Sequence, residues 1–408
     1  MDLLFDKYAD AVIYSALEIR EGDVLSINTE EDESTPFAKL LAKKAKEITG
    51  NGSYIQRLED GKIVDNFDYL SPFPLNKKPT AFVYIPLWKD YPILKRDVEF
   101  DAPLLQGFRL LSDPLGNGEP SVPFVSCPLP GEAWDKALED SAISSSSLLY
   151  SILELDNEDY IREMERRKEN IRYEEKRLNA MELTECRIAN DEGTDLTFSF
   201  LKTSRFHSSY SKTTAGRSFA PSIVTGDLFR LIDPTTLNGW LNVSRPIILF
   251  GERISSLSVH FQGGKIDEYR GTRRTEELME IYISEEPTAG RGSMVTISEV
   301  SNPLYSEELT LYSELDRMRC VSITVGGPKG EAVEEEDISR TVDSLISLSL
   351  PGLDVQILCD GLQFGGDRRH TLIDVQCAHS AASLTSASFC RRSESSARKA
   401  IFSVRIFQ

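Results

Sequence analysis

Residues 255–271, SSLSVHFQGGKIDEYRG, alternate apolar and polar side chains on either side of a Gly-Gly pair. A period of two around a glycine turn specifies an antiparallel hairpin with one buried face. Residues 183–200, LTECRIANDEGTDLTFSF, repeat the pattern with a break at Asp-Glu-Gly. CVSITVGG (320–327) and LDVQILCDG (353–361) are β-branched or apolar runs closed by glycine. The second half of the chain is therefore expected to be mainly antiparallel β with a few short helices. It ends in a serine-rich stretch, 377–408, that closes with the alternating run AIFSVRIF, and no internal repeat is visible.

The first half has a different texture. GDVLSIN (22–28) reads as a strand and TPFAKLLAKKAKEITGNG (35–52) as a helix with a glycine-rich stop, followed by a second strand, SYIQRL (53–58). TAFVYIPLW (80–88) and the stretch 121–134 add strand-and-loop signals, so an α/β layer with part of its sheet parallel is expected. Residues 157–183 carry opposite charges three and four apart, which suits a long, solvent-facing helix that closes this layer. At 408 residues the chain exceeds one ordinary core. The reading is an α/β N-terminal domain over 1–182 plus a mainly antiparallel β (α+β) C-terminal domain over 183–408.

With 65 acidic and 46 basic residues the net charge is -19, which repels phosphate backbones and anionic membranes. Neither nucleic acid nor membrane is expected as a partner. The opening MDLLFDKYADAVIYSALEI lacks the basic start and apolar core of a signal peptide, and no apolar run is long enough to span a bilayer. Six sparse cysteines read as thiols in a reducing cytoplasm. Cys359, Cys377, His379 and Cys390 could form a zinc set, but they lack the paired close spacing of such sites, and thiols are the better reading.

No phosphate loop, dinucleotide fingerprint, nucleophile elbow or zinc-helix motif is present. His260 lies in an alternating strand and reads as a surface or core position, whereas His207 and His370 sit in polar loops as candidate ligands or acid/base groups. Asp227, Asp354 and Asp360 stand out at strand ends, although Asp beside glycine reads first as turn chemistry.

The order of these segments resembles the M29 family of metallo-aminopeptidases, the aminopeptidase T group. GDVLSIN with FAKLLAKKAKE is similar to that family's opening strand and helix. RLN, from Arg177, with GTDLTFSF resembles its helix end and the first hairpin of its C-terminal domain. RPIILFGERISSLSVHFQGGKIDEY (245–269) matches a family stretch of like pattern. The resemblance implies an aminopeptidase T-like two-domain architecture, a homodimer, and two divalent metals held by Glu, His, Tyr and Asp, with a metal-bound water attacking the first peptide bond.

Carried over position by position, the family's ligands are missing. Its first motif, Asn-x-Pro-Thr-Glu-Glu-Val-Phe, falls on 222–229, where Gly226 replaces the leading glutamate and only Asp227 keeps a carboxylate. The second falls on 293–298, with Met294 in place of glutamate and Glu299 available only by sliding the register. The third falls on 316–322, with Ser322 for histidine and with Arg317 and Arg319 added; the tyrosine expected just beyond is absent. The last falls on Asp354-Val355-Gln356.

The resemblance so modified implies a non-catalytic, aminopeptidase-like peptide-binding protein that has lost the dinuclear site and presents a precursor peptide to processing or biosynthetic enzymes. Its vestigial cleft would use Asp227, Arg317, Arg319, Ser322 and Asp354, with no cofactor. The arginines would suit an acidic peptide or a C-terminal carboxylate. The alternative is an active aminopeptidase that holds two zinc, cobalt or manganese ions through displaced ligands, Asp227, Glu299, Asp354 and His370. A third reading, from relatives that open dihydroxypyridine rings with one iron, needs a histidine-rich site and ranks last.

Overall fold

The computed structural model describes residues 3–29, 35–59, 62–70, 77–85, 121–138, 143–223, 226–243, 247–249, 252–285, 290–298, 321–326, 346–350, 356–360, 362–364 and 376–377. Helix α1 (Leu3–Asp10) widens into a π-helical turn, Ala11–Ala16, and leads to β1 (Leu25–Thr29), α2 (Thr35–Thr49) and β2 (Ser53–Glu59). β3 (Lys62–Tyr69), β4 (Ala81–Ile85), β5 (Phe124–Ser126), α3 (Glu132–Ala137), α4 (Ser145–Ile152) and α5 (Tyr160–Ala180) complete the first layer. Its sheet runs β3-β2-β1-β4-β5. β2, β1, β4 and β5 are parallel, and β3 folds back antiparallel on the edge. Every residue of β1 is buried, as a central parallel strand covered on both faces must be. Tyr8, Phe37, Leu41 and Trp134 fill the core beside it. Each such side chain contributes about 1.5–3 kcal/mol through removal from water.

Beyond α5 the described elements are strands apart from one helix: β6 (Glu185–Ala189), β7 (Asp195–Ser199), β8 (His207–Ser208), β9 (Ser211–Lys212), β10 (Ser218–Phe219), β11 (Asp227–Leu231) and β12 (Asn238–Val243). The short pair β13 (Ile247–Leu249) and β14 (Glu252–Ile254) precedes β15 (Leu257–Gln262) and β16 (Lys265–Gly271), then α6 (Arg273–Glu285). β17 (Gly292–Ser298), β18 (Val321–Val325), β19 (Ile346–Leu350), β20 (Gln356–Cys359), β21 (Leu362–Phe364) and β22 (Gln376–Cys377) follow. They build an antiparallel sheet of eight, β16-β15-β12-β7-β6-β20-β21-β22, and one of five, β19-β18-β17-β11-β8. Phe198, Leu241, Val259 and Phe261 of the larger sheet meet Leu228, Val295 and Ile323 of the smaller in one core. The α/β layer and antiparallel sheets follow the expected architecture.

Two glycines are required by close backbone approach. Gly239 has φ +109°, and a Cβ there would lie 2.0 Å from the carbonyl oxygen of Asp195 on the neighbouring strand. Gly264, in the Gly-Gly turn read from the sequence, has φ +81° and would place a Cβ 1.7 Å from the oxygen of Pro234.

The charged helix α5 takes part in both cores. Tyr160 and Met164 pack on the first, and Ile171 and Leu178 lie within the second. A second joint follows β10. The Ser126 amide, at the end of edge strand β5, donates to the Pro221 carbonyl at 2.7 Å, and the Ile223 amide donates back to Ser126 at 3.0 Å. Arg217 reinforces it, donating through Nη2 to the carbonyls of Leu17 and Glu18 at 2.9 Å each and pairing through Nη1 with Asp23 at 2.9 Å. Residues just before β11 are thus held by the first layer. Among the described residues no helix is long and apolar enough to cross a membrane.

Candidate functional site

The five-stranded sheet has two unlike faces. Leu228, Val295, Ile297, Val321, Ile323 and Val325 point into the core. Arg230 lies on this apolar side, its guanidinium 4.3 Å from the Phe200 ring centre and 5.3 Å from that of Phe206, with Nη1 donating to the Leu183 carbonyl at 2.9 Å. Register puts the alternate residues on the opposite face. Asp227 stands opposite Ser298, Phe229 opposite Thr296, and Leu231 opposite Met294. Thr296 in turn faces Ser322, and Met294 faces Thr324. Ser349 and Ser347 hold the next positions of the same rows. On the outer side His207 pairs with Phe229, their ring centres 5.9 Å apart.

One carboxylate, one imidazole and a row of hydroxyls therefore share a face. It is a desolvated face: relative exposure is 1% at Asp227, 0% at Thr296, 2% at Ser298 and 0% at Ser322. Yet Asp227 Oδ1 and the hydroxyl oxygens of Thr296, Ser298 and Ser322 have no hydrogen-bond partner among the described residues. A buried polar atom left unmatched costs about 1–3 kcal/mol. Four together are unusual in a native interior. Met294, Phe229 and His207 keep partial exposure along the same face.

The backbone of Asp227 is held from β8. The Ser209 hydroxyl accepts from the amides of Gly226 and Asp227 at 3.3 and 3.4 Å, and the Ser209 amide donates to the Asp227 carbonyl at 3.1 Å. β8 itself hangs from α5: Ser208 Oγ donates to Glu175 at 2.7 Å, and Asn179 Nδ2 to the Phe206 carbonyl at 2.8 Å.

Several expectations change. Asp227 opens strand β11 and is buried, so it is not a turn residue; its carboxylate projects with the pleat instead of closing a loop. His207 lies in strand β8, half-buried, and not in a polar loop. Asp360 does perform turn chemistry, accepting from the Thr184 amide and hydroxyl and from the Glu185 amide at 2.8 to 2.9 Å, which fixes the start of β6. His260 pairs through Nδ1 with Asp267 at 2.7 Å on the outer surface, beside Trp240. Cys359 pairs with Cys186 across β20 and β6. Cys377 lies beyond Leu362 in register, two strand spacings or about 9–10 Å from Cys359. That span is too wide for one zinc ion; His379 and Cys390 lie outside the described residues.

Of the vestigial-cleft positions, Asp227 and Ser322 come together on this face, and Met294 joins them. Arg317, Arg319, Asp354, Glu299 and His370 lie outside the described residues. Thr296, Ser298 and Thr324 were not singled out from the sequence. Their signal was present in SMVTIS and VSITV, where hydroxyls alternate with β-branched apolar residues at a period of two.

Comparison with known proteins agrees with this architecture. Residues 117–315 match the family model of the M29 thermophilic metalloproteases. Aminopeptidase T of Thermus aquaticus is 26% identical over 143 residues, 35% of this chain and 35% of that protein. The matched stretch thus spans about a third of that relative's length. Wild-type AmpT from Thermus thermophilus superimposes with a TM-score of 0.63 at 15% identity, covering 87% of this chain and 94% of that one. The 2,5-dihydroxypyridine dioxygenase of Pseudomonas putida KT2440 follows at 0.52 and 12% identity, covering 90% and 97%. The fold is aminopeptidase T-like. Over residues 117–315 the chain is similar to the M29 family.

The polar face tests whether it suits that family's metals. Two adjacent dications need several anionic ligands to offset their repulsion. The described face offers one carboxylate, the His207 imidazole, neutral hydroxyls and the Met294 thioether, and no group of three or more His, Cys, Asp or Glu side chains assembles among the described residues. This donor set does not fit a dinuclear centre.

Proposed function

We propose that this protein binds peptides without cutting them, as an aminopeptidase-like scaffold that has lost its dinuclear metal site. The polar face of the five-stranded sheet carries the reading. Its hydroxyls can donate to or accept from a peptide backbone, and Asp227 accepts only. An occupant that satisfies all four unmatched atoms must bring at least one strong donor, such as an ammonium or a run of amides. Seating such a ligand would offset the desolvation already incurred, which favours a preorganised binding surface over a relaxed one. Presentation of a precursor peptide to a second enzyme would use this retained grip in the absence of hydrolysis. A cytoplasmic location and a homodimer belong to the same proposal.

Metal analysis of the purified protein, paired with an aminoacyl-amide hydrolysis assay in added cobalt, zinc or manganese, tests it. The expected result is substoichiometric metal and no turnover, with peptides recovered intact from the wild-type protein and lost from Asp227→Leu. Stoichiometric metal together with turnover overturns the proposal and establishes the active metallo-aminopeptidase with displaced ligands.

A further inference from the structure

Cys186 on β6 and Cys359 on β20 are direct cross-strand partners, 173 residues apart in sequence. Their sulfur atoms approach to 3.0 Å, both thiols are free, and both are buried in the core of the larger sheet among Ile188 and Ile357. Directly opposed residues of an antiparallel pair have Cα separations of about 4.5–5.5 Å, within the range a disulfide spans. Closing the bond therefore needs no backbone movement.

We propose that Cys186 and Cys359 form a dithiol–disulfide pair that covalently ties β20 to β6 under oxidising conditions. The co-reactant is a small-molecule disulfide such as oxidised glutathione. The thiolate of one cysteine attacks it, releasing one reduced thiol and leaving a mixed disulfide. The second cysteine, as thiolate, then displaces the remaining glutathione, so that two protein thiols are oxidised, one disulfide is reduced to two glutathione molecules, and the two thiol protons end on the glutathione. The fold favours the second step, because a glutathione adduct has no room in this core while the partner sulfur is already in contact.

Burial, then the neighbouring Cys359 thiol, pushes the Cys186 thiol well above its ordinary range. Thiolate is therefore scarce in the closed state, and attack requires local opening of β20 and β21 at the end of the sheet. The bond would be slow to form and, once closed, slow to reduce. Cys127 lies in the first core beside Val125.

The whole reduced protein, incubated over a series of glutathione redox ratios, acid-quenched, alkylated and digested, provides the test. The expected product is a linked peptide joining Cys186 to Cys359, with loss of two hydrogens in intact mass and the other four cysteines still alkylated. The same treatment in denaturant should lose this preference, because the register is gone. Cys186→Ser should abolish the link without redirecting Cys359, and Cys186→Ala serves if the serine variant fails to fold. Persistent free thiols at both positions across the series overturn the proposal. So do a stable glutathione adduct on either residue, a dominant link to Cys320, Cys377 or Cys390, or an equal yield of the link in denaturant.

Discussion

Replacing Asp227 with leucine should make the ligand-free protein more stable. The side chain is buried, its Oδ1 is unmatched among the described residues, and it faces Ser298 across the sheet. Removing an unmatched buried polar atom returns about 1–3 kcal/mol, with more for a charged group. Leucine is of similar size and gains apolar burial beside half-buried Phe229, but leaves the Ser298 hydroxyl as poorly matched as before. The net expectation is a gain of about 2 kcal/mol. Urea unfolding followed by tryptophan fluorescence would show a higher midpoint with an unchanged slope, the signature of altered stability without altered compactness. Asp227→Asn should give a smaller gain, since the amide stays polar but sheds the charge. Both variants should lose peptide retention, so stability and binding move in opposite directions. A loss of about 1 kcal/mol or more in Asp227→Leu would refute the reasoning, because it would mean that the carboxylate is matched in the folded protein and serves the fold.

Three further substitutions probe the frame around the site. Arg217→Ala removes three bonds to the first layer and should cost about 3 kcal/mol in urea unfolding, with Arg217→Lys recovering only part, since an ammonium cannot reproduce the fork. Gly239→Ala forces a Cβ onto the Asp195 carbonyl and should abolish the native near-ultraviolet circular dichroism or the soluble yield. Lys44 contacts Asp10 at 2.6 Å and Asp6 at 3.0 Å. Burial works against its charge, but the hydrogen bonds and charges of Asp10 and Asp6 outweigh it and raise its pKa. A raised folded-state value stabilises below the ordinary lysine range near pH 10.4 and fades as pH climbs through the folded value. Lys44→Met should therefore cost about 1 kcal/mol at neutral pH, with the difference from wild type shrinking above about pH 10.4.

The architecture was largely legible because its signals are local. Period-two runs around glycine gave the hairpin β15–β16, and a strand, a capped helix and a second strand gave the parallel pair β1 and β2. The position of Asp227 was not legible as a strand residue, because a glycine before an aspartate carries turn chemistry at short range. Only pairing with β17, more than sixty residues later, makes it the first rung of a ladder. The hydroxyl face was harder still. Serine and threonine alternating with valine and isoleucine describe an ordinary half-solvated strand, and nothing local distinguishes solvent from a dry interior on the hydroxyl side. The partnership of Cys186 with Cys359 likewise depends on strand order, which no local pattern contains.

The joint at Ser126 and Pro221 has a consequence for how the chain comes to be made. Its two sides are separated by nearly a hundred residues, yet it lies only a few residues before β11. During synthesis the parallel layer is complete long before residue 221 leaves the ribosome, so the edge of β5 waits as a template for an incoming segment. β11 then starts from a fixed point instead of searching for its register, while β17 and β18 arrive later still. The order of emergence thus supplies part of the specification that this sheet, with one face carrying a row of hydroxyls, does not draw from hydrophobic pairing alone.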